Sequence, residues 1–596
     1  MNRPVRIGNV SGFYGDRIAA AREMVHGGGD PVDVVTGDYL AELTMLILAK
    51  ARHKDPSAGY ARTFLTQLEE ILGTCLDRGT RIVVNAGGLN PAGLAEQVHA
   101  LAGHLGLSPR VAHVSGDDLT DRLDELGPLV RHLDTGVALT DAAIRPVTAN
   151  AYLGGWGIVE ALAAGADVVL CGRVTDAALV TGPTAWWHGW GRDDLDALAG
   201  AVVAGHVIEC GPQATGGNYS WLSEVVDRRY PGFPIAEVDG DGSSTITKHP
   251  DTGGLVSVGT VTAQLLYEIG APAYLGPDVV AHFDTCVLTQ AGPDRVRITG
   301  TRGSPAPDTL KVAVNADGGH RNTMTLVLTG LDIEEKAAWA REELFAVLGG
   351  EEQFDEVDVR LLRFDHPDPP TNAAATAHLR VSVKSTDPEL VGRRFSSATM
   401  ELALGGYAGF HTTTPPTPSS AFGVYWPALV PAECVHPQVT LPDGSRRDVA
   451  PTSGGPRTDP GPTSRVVAAE RPDAPGDPGT GPTRRASLGR VCAARSGDKG
   501  GDANVGVWTR DDAGFSWLRA HLSVERLREL LPEARGLRVE RHELPNLRAL
   551  NFVVHGLLGD GVASSTRPDP QAKGLGEWLR SRVTDVPTPL LDDAAT

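Results

Sequence analysis

The sequence predicts an α/β protein in three parts. A doubly wound, mostly parallel sheet comes first, then an α+β antiparallel region, then a small separate α+β domain at the C-terminal end. Three observations carry this. Through the N-terminal third, short apolar runs alternate with stretches of helical spacing, the pattern of βα units. From about residue 255, apolar and polar residues alternate singly between Gly, Pro and Asp turns, the pattern of antiparallel strands. Residues 442–485 hold almost no large apolar side chain and set apart a last block, 486–590.

In chain order, strands are expected at 5–9, 32–35, 81–85, 110–114 and 167–171. Each ends in a small or polar loop: SGFYGD, TGDY, NAGGLNP, SGDD and CGRVTD. Helices are expected at 17–25, 39–51, 60–78, 91–104 and 175–186, with Asn90 as cap and Pro91 in the first turn of the fourth. A first domain thus spans 1–254. The α+β region, 255–441 and packed on the first, has strands at 279–289, 295–301, 309–316, 322–329, 357–364 and 377–384, with helices at 334–348 and 390–404. Segment 442–485 cannot bury enough surface to offset its ordering entropy and reads as a disordered linker. Block 486–590 follows a ββαββα order, with helices at 517–531 and 571–582.

Composition bounds the function. With 596 residues the chain is too long for one core. Its 54 basic and 74 acidic residues give a net charge of −20, which disfavours nucleic acid and anionic membranes. Six widely spaced cysteines, no CxxC pair and no apolar segment of signal-peptide type predict a reduced, cytoplasmic protein without a zinc site. No apolar run reaches the ~20 residues that span a bilayer. The usual nucleotide-loop, dinucleotide, nucleophile-elbow and zinc-protease signatures are absent.

The strand ends pool polar groups along one sheet edge, where ligands of open α/β sheets collect. Arg173 stands at such a corner, in AGADVVLCGRVTDAALV, placed to grip a carboxylate or phosphate or merely to pair with Asp176. The run GHVIECGPQATGGNYSW offers Glu209 as a base at an apolar boundary and Cys210 as a nucleophile or an inert core residue. Gln213 and Asn218 of the same run are amide donors for an oxyanion. Asp38 in TGDYLAE is a base or a helix cap. Asn85 and Asn90 flank a glycine pair that suits a carbonyl, a phosphate or a tight turn, and SGFYGD is a weak candidate phosphate loop. In RSGDKGGD, Lys499 with backbone N–H groups suits an anion such as a CoA phosphate, though paired charges on a solvated turn explain it equally. His282 and His320 lack partners at ligand spacing.

GDYLAELTM, VVNAGGLNP, YLGGWGIVEALAAGADVVLCGRVTDAALV, GHVIECGPQATGGNYS, GFPIAEVDGDGSSTITK, GGLVSVGTVTAQLLYEIG and PAPDTLKV together resemble the acyclic terpene utilisation (AtuA-like) family over about 5–437. RSGDKGGDANVGV and LPNLRALNFVVHGLLGDGV resemble the small C-terminal domain that some members carry fused. Pro212 and the doubled glycine of SGDKGGDAN depart from the family pattern without removing a polar group.

The resemblance implies terpenol catabolism through branched acyl-CoA thioesters. The resemblance also implies lyase or hydratase chemistry, for which the residues offer Glu209, Asp176, Cys210 or Asp38 as catalytic groups. Arg173, Asn85, Asn90, Gln213, Asn218 and Lys499 would bind substrate. No metal and no cofactor are required, beyond CoA as part of the substrate. A small-molecule partner and association with further copies of the chain are expected. A non-catalytic acyl-binding scaffold and a secondary-metabolite tailoring enzyme are the alternatives.

Overall fold

The computed structural model describes residues 3–450, 452 and 481–592. Five strands, Val5–Asn9, Val34–Gly37, Arg81–Val84, Val168–Cys171 and Val111–Ser115, lie side by side in that order, each pair parallel. Successive strand residues face opposite ways. Val35, Ile82, Val84 and Leu170 therefore pack on helices Ala20–His26, Arg62–Arg78 and Pro91–His104. Val34, Val83 and Val169 pack instead on Trp156–Ala163, Ala178–His188 and Leu195–Ile208.

The sheet is more mixed than expected. Pro234–Val238, Ser244–Lys248, Arg295–Thr299 and Val287–Gly292 extend one side antiparallel, and Gln438–Thr440 and Arg446–Asp448 extend the other. Only five of its eleven strands form the parallel core. The reason is local: the short turn between Val238 and Ser244 has no room for the crossover that parallel pairing needs. Helix Leu195–Ile208, of which only the last residues were legible, is buried nearly all round and so shows no amphipathic stripe.

Two compact units emerge. One comprises Ala316–Val424 with Ala563–Pro568. In it, the 320–329 part of the Thr309–Thr329 strand, read from sequence as two pieces, pairs with Thr376–Ser385, and that strand with Glu356–Arg363. Helices Ile333–Leu348 and Phe395–Gly405 cover them around Leu326, Val381 and Phe395.

The C-terminal block belongs to the other unit but has its own core of Leu488, Val505, Val507, Leu518, Phe552 and Leu579. Its antiparallel sheet runs Cys492–Lys499, Asp502–Thr509, Ala549–Val554, Val539–Leu544. The one helix expected at 517–531 is two, Asp512–His521 and Val524–Leu530, with Ser523 capping the second. Arg446–Asp448 and Thr483–Ser487 are strands at the two ends of the expected linker; residues 451 and 453–480 lie outside the described residues.

Candidate functional site

The C-terminal ends of the parallel strands place Asn9, Asp38, Asn85, Asp117 and Arg173 along one edge, all buried. Asn85 donates to Asp38 (2.5 Å) and accepts from the Tyr39 N–H (2.7 Å), so it orients the Asp38 carboxyl. Asp38 accepts from the Leu40 N–H (3.0 Å) and caps no helix; the following helix, Glu42–Lys54, begins after Ala41 without a side-chain cap. Burial and the nearby Asp176 push the Asp38 carboxyl well above the usual carboxylate range, against the pull of Arg173 and Asn85.

Arg173 is 3% exposed. Its guanidinium donates to Asp176 (2.7 Å) and to the Leu40 carbonyl (3.3 Å), and it lies 4.2 Å from the Tyr152 ring centroid. Its main-chain N–H donates to Asp117 (2.9 Å). Burial disfavours its charge, yet Asp176, Tyr152, Asp38 and Glu42 around it outweigh that. The pair with Asp176 that the sequence allows is present, and it is buried among the strand ends.

Glu209 ends helix Leu195–Ile208, and Asn9 fixes it by donating to its carbonyl (3.0 Å). Oε1 lies 3.3 Å from His206 Nδ1, while Oε2 is buried with no hydrogen-bond partner among the described residues. Burial holds His206 at about 4, so the imidazole is neutral at pH 7. Burial, then Asp176 and Glu268, push Glu209 well above the usual range, against Arg173 and Lys499. Such surroundings favour the protonated carboxyl over the carboxylate. Beside it, burial and Glu209 push the Cys210 thiol up, which opposes a thiolate nucleophile.

A second ring of charge surrounds this edge. Glu42 accepts from the Tyr152 hydroxyl (3.1 Å) and lies 3.7 Å from Lys311 Nζ. Burial raises its pKa, but Lys311 and Arg173 prevail and hold it at about 2. Asp176, Glu42, Glu268 and Lys311 keep 31%, 32%, 35% and 36% of their side-chain surface accessible although protein surrounds them. Water therefore reaches all four side chains.

The RSGDKGGD turn is no free surface hairpin. It docks on segment 266–270 of the α/β part. Lys499 Nζ donates to the Glu268 carbonyl (3.1 Å), Lys573 Nζ lies 3.2 Å from Glu268 and 3.4 Å from Asp498, and Arg495 donates to Gln213 while stacking 4.2 Å over Tyr267. Two buried amides secure the segment. Asn504 donates to the Leu266 carbonyl (2.7 Å) and accepts from the Glu268 N–H (2.8 Å). Asn551 donates to the carbonyls of Ile269 (3.1 Å) and Gly270 (2.7 Å), and Asn504 donates to Asn551 (2.9 Å). Glu268 itself has φ of 57°, a left-handed backbone that costs a non-glycine residue about 1 kcal/mol or more.

Of the residues singled out from sequence, Arg173, Asp176, Glu209, Cys210, Asp38 and Lys499 share one neighbourhood, with Asn85 behind Asp38 and Gln213 under Arg495. Asn90 is elsewhere: it caps Pro91–His104 and donates to the carbonyls of Ser57 and Ala58. Asn218 is an exposed turn residue with φ of 56°. In SGFYGD the N–H groups of Gly12 and Asp16 are bonded inside the loop, and that of Ser11 donates to the Asn9 side chain. Tyr152, Lys311, Tyr425, Glu268 and Lys573 were missed. Their only signal was a lone polar or tyrosine residue inside otherwise apolar motifs such as LLYEIG and PAPDTLKV. Among the described residues no group of three or more His, Cys, Asp or Glu is arranged to hold a metal ion, and no helix is long and apolar enough to cross a membrane.

Residues 5–441 match the family described as acyclic terpene utilisation family protein AtuA, and residues 486–584 match the AtuA ferredoxin-like domain. No curated protein and no solved structure matches the chain.

Proposed function

This chain belongs to the acyclic terpene utilisation family AtuA, with a fused ferredoxin-like domain, and from that premise we propose that it is an acid–base enzyme acting on a carboxylic or acyl-thioester substrate by lyase or hydratase chemistry. One observation carries the reading: Glu209 is a buried carboxyl with an oxygen unpartnered among the described residues, near the buried guanidinium of Arg173 and the partly water-exposed Asp176 and Glu268. A protonated carboxyl gives its proton to a leaving hydroxyl or a developing carbanion; its conjugate base takes one from a carbon next to a carbonyl. Negative charge growing on the thioester oxygen would meet Arg173 and Asp38, whose surroundings favour its protonated form. Asn85 keeps Asp38 in place, and Asp176 keeps Arg173 in place. The scheme asks for no organic cofactor, with CoA entering only as part of the substrate. Six free cysteines agree with action in the cytoplasm.

The test is a screen of the purified chain against branched and straight acyl-CoA thioesters and their free acids. Turnover is expected with at least one, and Glu209→Gln should lower its kcat by about 100-fold or more, the usual worth of a positioned proton carrier. Absence of both turnover and binding for all of them ends the proposal. Binding without turnover would leave a scaffold that carries acyl groups.

A further inference from the structure

The cations of the site are not equivalent. Arg173 is matched by Asp176, Lys311 by Glu42, and Lys573 by Glu268 and Asp498. Lys499 donates only to a main-chain oxygen, and among the described residues no carboxylate lies within ion-pair distance of it. Two of its three N–H bonds are therefore open to a ligand.

Its place is fixed by a succession of rings and cations. Arg173 lies 4.2 Å from the Tyr152 ring centroid, Lys311 lies 4.7 Å from that ring and 5.8 Å from Tyr425, and Gly500, next to Lys499, abuts Tyr425 so closely that a Cβ there would sit 3.0 Å from the ring. Glu209, 7% exposed and with its Oε2 unpartnered among the described residues, lies near enough to feel the charge of Lys499.

We propose that Lys499 receives an oxyanion of the substrate, a carboxylate of the acid or a phosphate of a nucleotide-bearing thioester, so that the ferredoxin-like domain completes the binding site begun by the α/β part. The inference rests on the acid–base reading of the same site and adds to it a charged group that the substrate must carry. The charge of Lys311 repels that of Lys499, and an oxyanion near both relieves that repulsion. Burial, then Lys311, lower Lys499 to about 8, while Glu268, Glu42 and Asp502 pull the other way. A bound anion moves the balance upward.

The chain has eight lysines, so labelling each Cε with 13C gives a spectrum in which the resonance lost from Lys499→Arg is that of Lys499. In the full chain it should titrate near pH 8. Succinate tests the carboxylate source and adenosine 3′,5′-bisphosphate the phosphate source; either should raise the midpoint by about one pH unit. Calorimetry with the responding anion should show about tenfold weaker binding in Lys499→Met and near-native binding in Lys499→Arg. A midpoint unmoved by both anions, or equal binding in Lys499→Met, overturns the proposal. Neither readout uses turnover: an anion response in a chain that turns over no thioester keeps this binding site and removes the chemistry, and turnover without an anion response does the reverse.

Discussion

Truncating Asn551 to alanine removes the centre of the grip between the ferredoxin-like domain and segment 266–270. The side chain is fully buried and serves three groups: the carbonyls of Ile269 and Gly270, and the side-chain amide of Asn504. All three lose a partner, and each such loss costs about 1 kcal/mol or more. The sum is about 3 kcal/mol, or roughly a 150-fold rise in the population of the opened segment. Glu268 adds to the effect, since its left-handed backbone is held by the neighbouring Asn504. Hydrogen exchange followed by mass spectrometry reads this directly: peptides covering 266–270 and 549–554 should exchange roughly 100-fold faster in Asn551→Ala. Peptides from Thr376–Ser385, whose ladder does not involve Asn551, should be unchanged. An exchange rate within about threefold of the parent at 266–270 would refute the reasoning, because the three bonds would then be worth almost nothing.

Two further outcomes follow from the geometry around Glu209. A Cβ at Gly12 would lie 2.7 Å from the carbonyl carbon and 2.9 Å from the Cα of Cys210, so Gly12→Ala must displace the backbone carrying Glu209; kcat should fall by about tenfold or more, and an unchanged kcat would show that Glu209 does not need its present place. Cys210→Ser should keep activity within about threefold, since the thiol is held in its protonated form. A loss of about 100-fold in that variant, with trapping of a thioester on the parent enzyme, would instead assign Cys210 as nucleophile.

The parallel strands were legible because each is a short apolar run closed by a polar loop, and Val168–Cys171 followed by Arg173 was the clearest case. The site's inner wall was legible for the same reason, since strand ends in such sheets point at ligands. Other parts carried no local signal. Asp38 looked like a helix cap because spacing alone cannot tell a cap from a buried acid three residues before the cap position. The RSGDKGGD turn balances its own charges, which reads as surface; what covers it lies more than 200 residues earlier in the chain. Helix Leu195–Ile208 shows the opposite difficulty, with apolar and small residues on every side and no face to detect. Lys311 is one polar position in a long strand, and only the fold brings Glu42 and Tyr152 to it.

The amides of Asn504 and Asn551 touch main-chain atoms of segment 266–270 and none of its side chains. What they read is the course of a bend, not its spelling. The asparagines thus answer to the bend alone, while the identity of Ile269 answers to the buried core around it. A ferredoxin-like domain carried on a polypeptide of its own would find the same handholds, so the covalent tether sets how often the two pieces meet and not how they fit.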